Sequence, residues 1–316
     1  MTGKPGARSD VRSSSACQVG VDGGGTRSRA LVGDGAGREL GAADGGPGLI
    51  DPRDPERAVR AVVAVVRAAA ADAGVDLPVR GLWAGLAGAG NEAARQAVEA
   101  GLGNAGLAGV VAVGSDVEAA HADAFGDGPG ALLVVGTGSA VRAVDPRGEV
   151  VRVGGWGALL GDEGSGYRIG LDGLRAVVRS ADGREPQTGL TGALLSLTGA
   201  DDPKGLPAWA AAATKGEIAA LSVEVARVAR QGDPVAARVI HRALGEIRAH
   251  LEAVLERTSG WADPTPVALV GGLVRADSPL REAVVEMAAE LGCDVRLSDV
   301  LPERGALRLA TGLAAD

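Results

Sequence analysis

Residues 18–26 read Gln18-Val-Gly-Val-Asp-Gly-Gly-Gly-Thr26, and residues 131–139 read Ala131-Leu-Leu-Val-Val-Gly-Thr-Gly-Ser139. Each stretch is a short apolar run that ends in glycines followed by Thr or Ser, and each leads into a second apolar run that contains an Arg-Ala pair. This order predicts a strand, a glycine turn and a return strand. A further turn after each return strand predicts a three-stranded meander in both places. The recurrence indicates an internal duplication.

Helix signals lie between and after these meanders. Asp54-Pro55 and Asp233-Pro234 each supply an N-cap and a first-turn proline, and Ser278-Pro279 predicts another helix start. Asn91 is placed to cap a shorter helix. Because strands and helices alternate along the chain, the sequence predicts an α/β class with helices packed on sheets.

Length, charge and cysteine content restrict the possible domain organisation, partners and compartment of the protein. The chain has 316 residues. Because a chain of this length usually exceeds what packs around a single hydrophobic core, two domains are expected. The net charge of -8 argues against a nucleic-acid partner. Cys17 and Cys293 form no metal-ligand motif, which favours a reducing cytoplasm. No apolar run is long enough to cross a membrane, and residues 1–16, which lack a signal-peptide core, are predicted to be a disordered tail.

The two glycine turns are candidate phosphate-binding loops. Glycines at 23–25 and at 136 and 138 let backbone N–H groups approach an anion, while hydroxyls such as that of Thr26 add donors. A plain hairpin would also use glycine, but two matching copies favour a shared ligand such as a polyphosphate. A P-loop is excluded because none of the three lysines, Lys4, Lys204 and Lys215, follows the required glycine frame. Asp22 could instead hold magnesium, directly or through water, or merely cap its own turn.

A dinucleotide site is the competing interpretation. Residues 88–93 fit G-x-G-x-x-A between an apolar run and a helix, and Asp116 follows the next strand where a ribose contact would be expected. This hypothesis leaves both glycine turns unexplained. The three histidines lie in predicted helices, where packing or surface roles are more common than catalysis.

Two later segments can line a pocket. Residues 154–166 are too rich in glycine for a regular element, and Asp162 within them could bind substrate hydroxyls. Glu163 could equally be a helix-start carboxylate. Gly271 and Gly272 follow an apolar run, where small residues would admit a flat purine, although a tight turn is the simpler explanation.

Taken together, these segments resemble the sugar kinase, Hsp70 and actin superfamily, and within it the N-acetylglucosamine kinase and BadF/BadG/BcrA/BcrD ATPase family. The resemblance covers about Val19 to Leu313. It is carried by Val21-Asp-Gly-Gly-Gly-Thr26, Gly85 to Asn91, Ser115-Asp116, Gly136-Thr-Gly-Ser139, Gly154-Gly-Trp-Gly157, Gly161-Asp-Glu-Gly-Ser165, Val270-Gly-Gly272 and Gly305-Ala306.

The resemblance implies two actin-like, ribonuclease H-like domains around a central cleft. The expected domains are residues 17–128, completed by a C-terminal helix at about 303–316, and residues 129–302. The implied ATP-binding residues are Gly23, Gly24, Gly25, Thr26, Gly136, Thr137, Gly138, Ser139, Gly271 and Gly272. Asp116 would be the catalytic base and would contact the substrate, and the sugar pocket would also contain Trp156, Gly157 and Asp162.

The function implied is magnesium-dependent transfer of the γ-phosphate of ATP to a hydroxyl, expected to be the 6-hydroxyl, of an amino sugar such as N-acetylglucosamine or glucosamine. A homodimer is also implied, and the cysteine usage favours the cytoplasm. The chain departs from the amino-sugar kinases at Gly46 to Leu49, where an asparagine is common, and at Ala87 and Ala140, where polar contacts are expected. The alternatives are a BadF-type ATPase that activates a partner enzyme and, behind it, a dinucleotide-dependent oxidoreductase.

Overall fold

The computed structural model describes residues 14–296 and 298–313. Residues 1–13 of the predicted tail therefore lie outside the described residues, whereas Ser14–Ala16 form a 3-10 helix immediately before the first strand. Contacts within the chain divide it into two compact units. The first comprises the described residues up to Asp127 together with those from Leu301, and the second is Gly128–Val300.

The first unit is a five-stranded sheet with helices. Its elements in chain order are β1 (Cys17–Gly23), β2 (Ser28–Asp34), β3 (Glu39–Gly45), α1 (Pro55–Ala73), β4 (Val79–Leu86), α2 (Glu92–Asn104), β5 (Ala108–Gly114), α3 (Asp116–Phe125) and, from the end of the chain, α11 (Pro302–Leu313). The strand order is β3-β2-β1-β4-β5. β1 lies at the centre, antiparallel to β2 and parallel to β4, so its carboxyl end is flanked by both kinds of neighbour.

The second unit repeats the same sheet. It contains β6 (Gly130–Val135), β7 (Ser139–Val144), β8 (Val150–Gly154), α4 (Gly157–Leu160), α5 (Gly166–Ala181), α6 (Leu190–Thr198), α7 (Leu206–Ala212), α8 (Lys215–Arg230), α9 (Pro234–Arg257), β9 (Thr265–Val270), α10 (Arg281–Glu290) and β10 (Cys293–Arg296). The strand order is β10-β9-β6-β7-β8. β6 is antiparallel to β7 and parallel to β9, as β1 is to β2 and β4.

This correspondence confirms the α/β class and the actin-like repetition that the sequence predicted. Both meanders form, and Asn91 and Asp233 cap their helices with side-chain oxygens that accept backbone N–H groups. Three local predictions were wrong. Asp54 occupies the N-cap position of α1, but its side chain makes no capping hydrogen bond. The helix expected from Ser278 begins at Arg281, and the glycine-dense segment contains the one-turn helix α4.

The last helix belongs to the first unit because small residues let it approach closely. α11 lies against α3 and β1, and a Cβ added to Gly305 would lie 1.8 Å from the carbonyl oxygen of Ala119. A Cβ at Gly20 in β1 would lie 2.0 Å from the backbone nitrogen of Leu307. Arg304 pairs with Glu39 at 2.6 Å, and Asp123 accepts the N–H of Leu301 at 2.7 Å. This packing brings Glu303 to the region of β1.

Replacing Gly305 by alanine is expected to lower the free energy of unfolding by about 1–3 kcal/mol or more, because a backbone oxygen must move to admit the methyl group. Gly312 on the same helix is the control, since nothing lies within 4 Å of a Cβ added there. Gly312→Ala should be neutral or stabilising by up to about 1 kcal/mol. Urea unfolding of both variants measures the difference, and equal stabilities would contradict the close packing of α11.

Candidate functional site

The first glycine turn connects the central strand β1 to β2. The N–H of Gly24 donates to the carbonyl of Arg27 at 2.9 Å and closes the turn. Gly48 and Ala87 donate to the carbonyls of Gly24 and Gly23 at 3.0 and 2.8 Å, so neighbouring loops hold the turn from outside. Within residues 14–296 and 298–313, the N–H groups of Gly25 and Thr26 have no hydrogen-bond partner, and both residues are exposed. The turn is rigid but keeps donors available to an anion.

Asp22 lies beside this turn in an environment rich in carboxyl groups. Burial, together with the smaller effects of the nearby Asp116 and Glu303, raises the pKa of the Asp22 carboxyl from its ordinary 3.8 to about 7, against a lowering by Arg27. The carboxyl groups of Asp116 in α3 and Glu303 in α11 are therefore close enough to Asp22 in β1 to disfavour its charged form, although Arg29 lies 3.3 Å from Glu303. Such a concentration of negative charge is relieved by a proton or by a bound cation.

Asp116 occupies the first residue of α3. Ser115 and Glu118 form a capping box in which the Ser115 hydroxyl accepts from the Glu118 N–H at 3.1 Å and Glu118 accepts from the Ser115 N–H at 2.8 Å. The Asp116 carboxylate accepts the N–H of Val117 at 3.0 Å. The cap fixes the helix end that carries Asp116.

The carboxyl groups around Asp22 suit a cation that takes most of its ligands from water or from a bound substrate rather than from protein side chains. In the described part of the chain, no group of three or more His, Cys, Asp or Glu side chains is arranged to hold a metal by itself. Magnesium retains several waters and commonly binds proteins through one or two carboxylates together with substrate phosphates. The residues present therefore fit magnesium carried with a nucleotide better than a metal held entirely by side chains.

The second glycine turn connects β6 to β7, in the position that matches the first. The N–H of Gly136 donates to the carbonyl of Gly138 at 2.9 Å. The Ser139 hydroxyl donates to the carbonyl of Glu163 at 2.5 Å, and the N–H of Gly166 donates to the carbonyl of Gly136 at 2.8 Å. Among the described residues, the N–H groups of Thr137 and Gly138 are unpaired, as their counterparts are in the first turn. Residues 162–166 thus hold the turn in place through hydrogen bonds, and the N–H groups at its tip stay available.

Asp162 is the main side-chain contact between this segment and the turn. It is the one described residue other than glycine with a positive φ, 57°, and it is buried with 3% exposure. Its carboxylate accepts from the Ser139 N–H at 3.3 Å and from the Lys215 ammonium group at 2.6 Å. A strained backbone that packing holds in place is common at ligand sites.

Gly271 and Gly272 lie directly against the second turn. The N–H of Leu273 donates to the carbonyl of Val135 at 3.1 Å, and a Cβ added to Gly271 would lie 2.4 Å from that oxygen. The φ of Gly271 is 118°, which also requires glycine. The second unit therefore joins two predicted parts of the ATP site, the phosphate turn and the proposed adenosine turn.

Trp156 and Gly157 form the start of the one-turn helix α4. The residue Trp156 is 78% exposed, and Gly157 has a φ of 85°. The N–H of Gly161 donates to the carbonyl of Gly157 at 2.8 Å, which closes the turn and presents the indole on the surface. An exposed aromatic face can stack on a sugar ring.

Sequence reasoning did not identify Glu303, Arg27 or Lys215 as site residues. Glu303 and Lys215 are distant in sequence from the residues they approach, so no local pattern could place them. The one available signal was the rarity of lysine, since of the two lysines that the structure describes, Lys215 lies near a glycine turn.

The features behind the alternative hypotheses have structural explanations. In the G-x-G-x-x-A segment, a Cβ at Gly88 would lie 2.4 Å from the carbonyl oxygen of Ile50, so this glycine serves packing against a neighbouring loop. Cys17 and Cys293 are both buried, and burial raises the pKa of the Cys293 thiol to about 11. Buried thiols are poor candidates for ligands of an exposed iron–sulfur cluster. No helix within residues 14–296 and 298–313 is both long and apolar enough to cross a membrane.

Relatives of known name cover most of the chain. The N-acetylmuramic acid/N-acetylglucosamine kinase of Clostridium acetobutylicum is 28% identical over 259 residues, 81% of this chain and 85% of that protein. The glucosamine kinase of Vibrio cholerae is 28% identical over 263 residues, 78% of this chain and 87% of that protein. A Chromobacterium violaceum protein of known structure, described provisionally as an N-acetylglucosamine kinase, has a TM-score of 0.79 and 28% identity, and the match covers 94% of this chain and 99% of that one.

A family model agrees with the resemblance that the motifs indicated. The model of the BadF/BadG/BcrA/BcrD ATPase family matches residues 19–310, which include both glycine turns, Asp116, Asp162 and the Gly271-Gly272 turn. The match extends over far more than half of the chain, and the protein therefore belongs to the BadF/BadG/BcrA/BcrD ATPase family.

Proposed function

We propose that this protein is an ATP-dependent kinase that transfers the γ-phosphate of ATP to a hydroxyl, the 6-hydroxyl, of an amino sugar such as N-acetylglucosamine or glucosamine. The observation that carries the proposal is the pair of equivalent glycine turns after β1 and β6, each with unpaired N–H groups among the described residues. The named kinases among its relatives support the choice of an amino sugar.

The roles follow from the chemistry of phosphoryl transfer, which asks mainly for alignment and charge neutralisation. Within residues 23–26 and 136–139, the N–H groups that are unpaired among the described residues, those of Gly25, Thr26, Thr137 and Gly138, donate to the phosphates together with the threonine hydroxyls. Gly271 and Gly272 accommodate the adenosine. Asp116 accepts or orients the proton of the attacking sugar hydroxyl. Its place at a capped helix start supports this role, because the carboxylate is held in one position.

Magnesium is the second part of the proposal. Asp22 would hold it, directly or through water, and the ion would neutralise the charge of the β- and γ-phosphates. The support is the raised pKa of Asp22 among three carboxyl groups, since a cation relieves the same repulsion that a proton relieves.

The acceptor is proposed to contact Asp116, Asp162, Trp156 and Gly157. Ala140 is buried in β7 beside the second turn, where it offers no polar group to a sugar. Each missing hydrogen bond could lower substrate affinity by about 1 kcal/mol, so the preferred amino sugar can differ from that of the relatives. We also propose a homodimer, which size-exclusion chromatography with light scattering would test.

A coupled ADP-release assay tests the activity. We expect release that depends on both magnesium and an amino sugar, with N-acetylglucosamine, glucosamine, N-acetylmuramic acid and glucose compared at equal concentrations. A 6-deoxy form of the best acceptor is the matched control and should release no ADP above background. Equal ADP release without any sugar would instead support the ATPase alternative, and binding of NADH in place of ATP would support the oxidoreductase.

A further inference from the structure

Lys215 is the basic side chain that lies at the second glycine turn. It is the first residue of α8, whose N-terminus is capped by Thr214, so its backbone position is fixed. Its ammonium nitrogen lies 2.6 Å from Oδ2 of Asp162. A Cβ added to Gly138 would lie 3.5 Å from that nitrogen and 2.6 Å from Oδ1 of Asp162. The ion pair therefore lies directly against the tip of the turn.

The two members of the pair differ in exposure. The Asp162 side chain is 5% exposed, whereas that of Lys215 is 40% exposed. A lysine ammonium has three donors, and in the described part of the chain one is used, by Asp162. The long stem of Lys215 lets the charge move by several ångströms, while the buried and strained backbone of Asp162 holds that carboxylate in place.

The charge of a polyphosphate would alter this pair. An ATP tail on the N–H groups of Thr137 and Gly138 brings several negative charges close to the Lys215 ammonium. A compact ammonium on a flexible stem commonly binds phosphate as a point charge. Movement of Lys215 to a phosphate oxygen would leave Asp162 able to accept a hydrogen bond from another donor.

We propose that Lys215 is a nucleotide-binding residue that passes from Asp162 to the polyphosphate when ATP binds, and thereby frees Asp162 to receive a sugar hydroxyl. The inference rests on the proposed function for the identity of the two ligands. It gives the second glycine turn a cationic phosphate contact, although the chain has no P-loop lysine. It also makes nucleotide and sugar binding cooperative, because the first ligand prepares the residue that holds the second.

The first test measures binding of a non-hydrolysable ATP analogue with magnesium by titration calorimetry. Lys215→Met should weaken this affinity by about 10- to 100-fold, as expected for loss of a charge-assisted bond. Lys215→Arg should recover much of it. Lys204→Met is the matched control and should bind as the wild type does, because Lys204 lies in a separate surface turn, Pro203–Gly205.

A second variant separates phosphate binding from neutralisation of Asp162. Lys215→Met leaves a buried carboxylate without its cation, which by itself can disturb the turn. The double variant Asp162→Asn/Lys215→Met removes both charges. If Lys215 contacts phosphate, nucleotide affinity stays low in the double variant. If Lys215 only neutralises Asp162, the double variant regains wild-type affinity, and the proposal is overturned.

The third test measures cooperativity. In the wild type the ATP analogue should tighten binding of the best amino sugar by about 5- to 100-fold, and Lys215→Met should reduce that ratio to less than about twofold. An unchanged ratio in Lys215→Met would refute the exchange of partners. The nucleotide experiments need no acceptor, so they report on Lys215 even if no sugar is phosphorylated; absence of ADP release from the wild type would instead count against the proposed function.

Discussion

Replacement of Asp116 by asparagine is expected to lower kcat by about 10²- to 10⁴-fold, because the amide cannot accept the proton of the attacking hydroxyl. The shape and the position at the start of α3 are preserved, so affinity for magnesium-ATP should change by less than about threefold. Steady-state kinetics with the best acceptor and calorimetric titration with a non-hydrolysable ATP analogue give the two values. Retained turnover in this variant would remove Asp116 from the proposed mechanism.

Ser115→Ala is the matched control for Asp116→Asn. It removes the side-chain oxygen that caps α3 but leaves the Asp116 carboxylate in the sequence. We expect a loss of about 1 kcal/mol of stability, typical of a lost N-cap, and a much smaller loss of kcat than in Asp116→Asn, because Glu118 still accepts the N–H of residue 115. If Ser115→Ala lost as much activity as Asp116→Asn, the position of the helix end would matter more than the carboxylate.

Replacement of Asp22 by asparagine is expected to have opposite effects on activity and on stability. Loss of the proposed magnesium ligand should abolish most magnesium-dependent turnover, by about 10²-fold or more, since the ion neutralises the phosphates. The same change removes a carboxylate whose charged form is disfavoured by burial and by the neighbouring carboxyl groups. The folded protein without ligands should therefore become more stable at alkaline pH.

The direction of the stability change follows from the pKa of Asp22. Its folded value of about 7 exceeds its ordinary value of 3.8, so between these pH values the folded chain holds a proton that the unfolded chain has lost. The free energy of unfolding therefore falls as pH rises from about 4 to about 7, and the full destabilisation persists above that range. Asp22→Asn should be more stable than the wild type by about 2–4 kcal/mol at pH 8, with the difference disappearing near pH 4.

Urea unfolding at pH 8 and at pH 5 measures this difference directly. Magnesium affinity provides a second measurement, because a proton competes with the cation for Asp22. The apparent dissociation constant of magnesium, measured with nucleotide bound, should increase as pH falls below about 7. Equal stability of Asp22→Asn and wild type at pH 8, together with a magnesium affinity that does not change between pH 6 and 8, would show that Asp22 is neither strained by charge nor a metal ligand.

Local patterns along the chain were sufficient for the class of fold and for the candidate loops. An apolar run followed by glycines and a hydroxyl residue predicts a strand and a turn wherever it occurs, and its repetition at 18–26 and 131–139 predicted the duplicated sheet. Caps such as Asn91 and Asp233 could be predicted because an N-cap acts over three residues. The sequence predicted helix ends less accurately where packing with the surrounding structure sets them. The helix predicted from Ser278, for example, begins at Arg281.

The electrostatic partners within each unit depended on tertiary structure alone. Asp22 and Asp116 were named from their motifs, but the unusual pKa of Asp22 arises from burial and from Glu303, which reaches β1 because α11 packs closely against Gly20. The contact between Asp162 and Lys215 joins residues 53 positions apart. Sequence patterns encode the period of a strand or the cap of a helix, whereas burial and charge–charge distances are set by packing between distant segments, which no local pattern specifies.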